Sequence, residues 1–235
     1  MRLTRSELAA RIDHTLLAPN ATLRQYEAVC RYAREESTAS VCVPSFFTST
    51  CAELLAGSLV KTCVVIGFPH GNQPKRIKLA EAELALRDGA QELDMVVNLS
   101  DVKSERWRQV RTEISQITQM AHEADGRVKV IFENCYLSQL EKIRLCQICN
   151  ETAADWVKTS TGFGPGGATL KDVELMRKHA EAPVKVAGGI RDLATLLRYV
   201  RLGADRIGLS RTATILGEFD ARYPHDFDQT GDGGA

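Results

Sequence analysis

Short runs rich in β-branched residues alternate along this chain with longer stretches of helical periodicity. The runs are Ile12–Leu17 (IDHTLL), Ala39–Val43 (ASVCV), Thr62–Gly67 (TCVVIG), Glu92–Asn98 (ELDMVVN), Val128–Glu133 (VKVIFE), Trp156–Ser160 (WVKTS), Val184–Ala187 (VKVA) and Arg206–Ser210 (RIGLS). Val, Ile and Thr favour strands, and near-continuous apolar runs suit strands covered on both faces. Between them lie helical patterns at Thr22–Glu36, Lys75–Asp88, Ser104–Glu123, Ser138–Thr152, Leu170–Ala180 and Asp192–Leu202. Gly89 and Gly203 follow two of these and read as helix stops.

Eight strands alternating with helices, with no linker between them, predict an α/β fold: a (β/α)8 TIM barrel in a single domain. A doubly wound open sheet is the alternative, but eight similarly spaced parallel strands favour closure. The barrel, with a short N-terminal helix, is expected over residues 1–217. The polar, Gly- and Asp-rich segment 218–235 is expected to be a flexible tail.

Composition narrows the class. Of 235 residues, 44% are hydrophobic, ordinary for a globular chain able to bury a sizeable core. Thirty basic residues balance 30 acidic ones, which argues against a nucleic-acid partner. No run of about 18 apolar residues exists, so no membrane span is expected, and the N-terminus lacks a signal-peptide pattern. Seven scattered cysteines, an odd number mostly inside apolar runs, read as reduced core residues of a cytosolic protein. Cys146 and Cys149 have CxxC spacing without a second pair, so no metal site is read there.

The chemistry of such a barrel belongs at the C-terminal ends of its strands. A charge inside a strand is costly to bury alone. Asp94, Lys158 and Lys185 stand out on that ground, with Lys129 and Glu133 a weaker pair. Lys158 and Lys185 sit on consecutive strands. If both point inward, desolvation and mutual repulsion lower a lysine's affinity for its proton. A neutral lysine attacks carbonyls and forms a Schiff base, and Asp94 could shuttle protons with it. The other reading is that these are solvated strand-end charges or structural ion pairs.

Glycine gives the second signal. Gly188 and Gly189 follow the seventh strand, Gly208 and Ser210 end the eighth, and Gly162 follows the sixth. Loops after strands seven and eight recurrently hold phosphate through backbone N–H groups, and Arg191 could add charge. His14 and His70 fall near strand ends. His14 reads as a hydrogen-bonded wall residue.

The segments DHTLL, IGFPHG, ELDMVVN, KVIFEN, VKTSTGF, GGAT, VKVAGGIR and RIGLS together resemble the 2-deoxyribose-5-phosphate aldolases, from about Ile12 to Ser210. The resemblance implies a metal-free class I aldolase with no cofactor. Its substrates would be a sugar phosphate and aldehydes: 2-deoxy-D-ribose 5-phosphate cleaved reversibly to acetaldehyde and D-glyceraldehyde 3-phosphate. It implies Lys158 as the Schiff-base lysine, Lys185 as the residue that activates it, and Asp94 in the proton relay. It assigns phosphate binding to Gly162, Gly188, Gly189, Gly208 and Ser210, with Arg191 nearby. A cytoplasmic homodimer in deoxyribose phosphate catabolism also follows only from the resemblance. The chain departs from common family patterns at Ala18, Pro44, Ser45 and Arg211, and it ends in Gly-Gly-Ala. Two other functions compete: a Schiff-base aldolase with a different acceptor, and a catalytically silent barrel that binds a sugar phosphate.

Overall fold

The structure is a computed structural model that describes residues 3–224. Its strands are β1 Ile12–Thr15, β2 Ser40–Val43, β3 Lys61–Ile66, β4 Glu92–Val96, β5 Arg127–Ile131, β6 Trp156–Lys158, β7 Val184–Ala187 and β8 Arg206–Leu209. They pair in parallel in chain order and close into a barrel. Closure is carried by β1 on β8, where Ile12 lies opposite Ile207 and Asp13 opposite Gly208. That contact settles the choice between a barrel and an open sheet.

The helices are α1 Arg5–Ala9, α2 Leu23–Glu36, α3 Thr48–Leu55, α4 Lys75–Arg87, α5 Leu99–Lys103, α6 Trp107–Glu123, α7 Gln139–Glu151, α8 Leu170–His179, α9 Leu193–Arg201 and α10 Thr212–Arg222. Their starts are written locally. Ser138 and Glu141 form a capping box on α7, and Thr169 and Asp192 accept backbone N–H groups at the starts of α8 and α9.

Strand alternation divides the core in two. Val128, Val130, Val157, Val184, Val186 and Ile207 join the large apolar layer between sheet and helices, while the separate cluster of Cys42, Cys63 and Val65 is small. Successive side chains on a strand point to opposite faces, so the residues between those valines point into the barrel. Burying each outer Val or Leu contributes about 1.5–3 kcal/mol.

Several elements differ from the sequence expectation, the short α5 among them. The helix expected at Ser104–Glu123 begins at Trp107, because Glu105 has a left-handed backbone (φ 55) that separates it from α5. The short α3 between β2 and β3 was not expected; at eight residues it offers too little periodicity to read. The expected tail from 218 onward is corrected at its start, since α10 runs to Arg222. Ile215, Leu216 and Phe219 form its buried stripe, and Asp220 pairs with Arg5 at 2.8 Å. The rest of that tail expectation, 225–235, lies outside the described residues.

Candidate active site

Lys158 and Lys185 stand directly opposite one another in strand register, as do Asp94 and Lys129. All four side chains point inward and are buried, with only Lys158 retaining slight exposure. Asp94 Oδ2 receives Lys158 Nζ and Lys185 Nζ, each at 2.5 Å. Its Oδ1 receives Lys129 Nζ at 2.9 Å and the Cys63 thiol at 3.1 Å. The three residues singled out from sequence therefore share a single carboxylate.

Beneath them lie Asp13, which the sequence places with His14 at the end of the first strand, and two groups it does not single out, Glu92 and Arg206. Asp13 forms an ion pair with Lys185 at 2.5 Å and accepts a hydrogen bond from Arg206 at 2.6 Å. Glu92 accepts from Lys129 at 2.5 Å and from Arg206 at 3.2 Å. Trp156 floors this layer, with Arg206 5.0 Å and Lys129 5.6 Å from its ring centroid. The signal that could have found these residues is parity. Glu92 lies two positions before Asp94, and Arg206 lies two before Gly208, so each shares its partner's face. Lys129 and Glu133, read as a weaker pair, do not meet. Glu133 instead accepts from the Thr161 backbone N–H at 3.2 Å and from the Thr161 hydroxyl. Thr161 Oγ1 in turn receives the Phe163 N–H at 3.0 Å, which fixes the loop after β6.

Electrostatics corrects one expectation. Burial lowers the proton affinity of Lys185, but the Asp13 and Asp94 carboxylates outweigh it and raise its pKa above the usual lysine range. Lys129 is raised for the same kind of reason, its burial outweighed by Asp94 and its other acidic neighbours. Burial alone would raise Asp13 and Asp94, yet the surrounding cations hold both below the ordinary carboxylate range. Mutual repulsion between the two lysines thus does not neutralise Lys185.

A cavity of about 370 Å³ opens at the C-terminal ends of β1, β6, β7 and β8, with Lys158 in its wall. Gly162, Gly188, Gly189, Gly208 and Ser210 line it as well. Gly188 has φ 90, a conformation that L side chains rarely adopt. A side chain on Gly167 would strike the Gly188 carbonyl oxygen at 2.5 Å, so the loop after β6 packs directly on the loop after β7. Arg191 is exposed and is not among the lining residues. His70 is also exposed outside the cavity. His14 points away from it, with Nδ1 2.7 Å from the Thr212 hydroxyl. Burial lowers its pKa to about 4. Cys146 and Cys149 are buried in the outer apolar layer. A wider groove of about 760 Å³ lined from α7 and α8 contains none of the strand-end lysines.

Cys42, Cys63 and Asp94 lie close enough to share an ion, as do Asp13, Cys63 and Glu92. The carboxylates of both groups already receive ammonium or guanidinium donors, so this donor set suits those cations and not a metal.

The fold is a closed (β/α)8 barrel with lysines meeting one carboxylate beneath an open mouth, and comparison with known proteins places it among the aldolases, a class of lyase. Residues 8–210 match the DeoC/LacD family aldolase, and the chain belongs to that family. It is similar to the deoxyribose-phosphate aldolase of Rhodopirellula baltica, 51% identical over 214 residues covering 90% of this chain and 89% of that protein. The deoxyribose-phosphate aldolase of Caldanaerobacter subterraneus is 46% identical over 215 residues, covering 90% and 93%. Among solved structures, the aldolase QR15 superposes with a TM-score of 0.87 at 39% identity, covering 93% of this chain and 98% of that one. The deoxyribose phosphate aldolase of Aeropyrum pernix, described as a unique tetramer, gives 0.87 at 34% identity, covering 93% of each chain. Among the described residues no helix is long and apolar enough to cross a membrane.

Proposed function

We propose that this chain reversibly cleaves 2-deoxy-D-ribose 5-phosphate to acetaldehyde and D-glyceraldehyde 3-phosphate through a Schiff base on Lys158. The observation that carries the reading is the position of Lys158. It alone among the buried lysines of the barrel lines the open cavity, and its Nζ lies 2.5 Å from Asp94.

The neutral Lys158 amine attacks the C1 aldehyde of the open-chain sugar, and loss of water gives an iminium. Removal of the C3 hydroxyl proton lets the C2–C3 bond break. Its electron pair passes to the iminium nitrogen, giving an enamine and releasing glyceraldehyde 3-phosphate. Protonation at C2 restores an iminium, and water releases acetaldehyde and the amine. Asp94 accepts and returns protons beside Lys158. Lys185, held as a cation by Asp13 and Asp94, orients Asp94 and supports its charge as protons pass. The N–H groups around Gly162, Gly188, Gly189, Gly208 and Ser210 receive the phosphate. Arg191, outside the lining, contributes charge from the rim.

A cytoplasmic homodimer is part of the same proposal. Six of the seven cysteines are buried free thiols, and Phe46, Leu59 and Leu140 present apolar surface. Sedimentation velocity tests the dimer.

Borohydride trapping tests the chemistry. After incubation with acetaldehyde, reduction and digestion, an ethyl adduct on Lys158 supports the reading. An adduct on Lys185 exchanges the two roles. No adduct under conditions that label another class I aldolase leaves a barrel that only binds. Equal turnover of deoxyribose and its 5-phosphate would refute the phosphate site.

A further inference from the structure

The charged groups inside the barrel form a closed circuit. Asp94 Oδ2 contacts Lys185 at 2.5 Å, and Lys185 contacts Asp13 at 2.5 Å. Asp13 contacts Arg206 at 2.6 Å, and Arg206 contacts Glu92 at 3.2 Å. Glu92 contacts Lys129 at 2.5 Å, and Lys129 returns to the other oxygen of Asp94 at 2.9 Å. Three carboxylates thus alternate with three cations, and the circuit is electrically balanced without Lys158. Lys158 hangs from it at Asp94 Oδ2 alone, as a fourth cation with no carboxylate of its own.

We infer that Glu92, Lys129 and Arg206, which lie below the cavity and outside its lining, are positioning residues that set the charge felt by Lys158 and so the pH at which it becomes a nucleophile. The inference rests on the Schiff-base reading above. Three features carry it. Five members of the circuit are buried and Arg206 is partly so, which leaves their charges poorly screened. Asp94 cannot move toward Lys158 without lengthening its bonds to Lys129 and Lys185. Each member of the circuit has two oppositely charged partners within it, whereas Lys158 has Asp94 alone. The groups facing Lys158 from the surrounding strands are Asp94 on β4, Lys185 on β7, Lys129 on β5, Asp13 on β1 and the thiols Cys42 and Cys63 on β2 and β3. The Cys63 thiol is pushed well up by burial and adds no charge. The balance among Lys129, Glu92 and Arg206 is therefore the adjustable quantity.

The test is the pH dependence of acetaldehyde trapping on Lys158 in the full chain, read by mass spectrometry of the reduced adduct. Removing a cation with Lys129→Met leaves Asp94 more charge to share with Lys158, so the trapping midpoint moves to higher pH. Removing an acid with the near-isosteric Glu92→Gln moves it to lower pH. Each shift is on the order of one pH unit. The double variant removes one charge of each sign and returns the midpoint close to the native one. A packing role alone would lower the yield of folded protein without moving the midpoints in opposite directions. If Lys129→Met does not fold, the downward shift in Glu92→Gln decides by itself. Native protein that labels at Lys158, with a Glu92→Gln midpoint that is unmoved or moved upward, overturns the inference and leaves the Schiff-base reading standing. Native protein that does not label at Lys158 overturns both.

Discussion

On β5, Lys129 points into the barrel, while Val128 and Val130 point out of it, and neighbouring residues of one strand are held by different forces. The outer valines pack against helices in a continuous apolar layer. Lys129 is equally buried but is held by Glu92, Asp94 and the Cys63 sulfur. The interiors of such barrels are ordinarily filled with layers of branched apolar side chains. Here the interior is a charge network under a cavity. The outer face tolerates loss of a few methyl groups at a graded cost, whereas the inner face is intolerant because removing one partner strands another buried charge.

The sharpest test of that contrast is Lys158→Ala, which is expected to lower the cleavage rate roughly 10⁴-fold or more and abolish borohydride labelling. Its thermal midpoint should change little, because the remaining circuit is balanced. Asp13→Asn comes next. It takes one of two carboxylates from both Lys185 and Arg206 and leaves the buried network with an excess positive charge, so denaturant unfolding should register a loss of about 3–5 kcal/mol together with reduced turnover. Ile117→Ala, in the buried outer layer on α6, should lose about 3 kcal/mol of stability while turnover per folded molecule stays within about twofold. A variant of Ile117 that lost activity ahead of stability would break the separation of the two faces.

His14 sharpens it differently, since it is a titrating group placed on the outer side. Its folded-state pKa of about 4 lies below the usual 6.5, so the unfolded chain takes up the proton first. The stability tied to its neutral form is intact above pH 6.5 and is lost as pH falls toward 4, reaching about 3 kcal/mol. His14→Gln should remove that part of the pH slope in urea melts without shifting the pH midpoint of trapping. The smallest effect expected is from Arg191→Ala at the rim: a rise in KM for the phosphorylated sugar worth about 1 kcal/mol or less, with kcat retained.

Lys158, Lys185 and Asp94 were legible in the sequence because a charge inside an apolar strand run is costly unless it has a use. Gly188 and Gly189 were legible from their place after the seventh strand. Glu92 and Arg206 sit at strand starts, where a charge reads as solvated, and only closure of the barrel brings them into the interior network; Asp13 reads as a residue of the mouth, and closure instead sets it between Lys185 and Arg206. Glu133 was noticed for the wrong partner: its left-handed backbone (φ 56) turns it to Thr161. The final helix was hidden because its apolar stripe is short and runs into a polar, Gly-rich end.

The sequence by itself determined the alternation of strands and helices, the barrel, and the strand ends that carry lysine and glycine. These follow from local periodicity and from the cost of burying a lone charge, both of which act within a few residues. Tertiary structure decided which acids accompany those lysines and which lysine is left without a carboxylate of its own. Residues as distant as Asp13 and Arg206 meet only when β1 closes on β8, and the charge felt at Lys158 is the sum over every strand that the closure brings together.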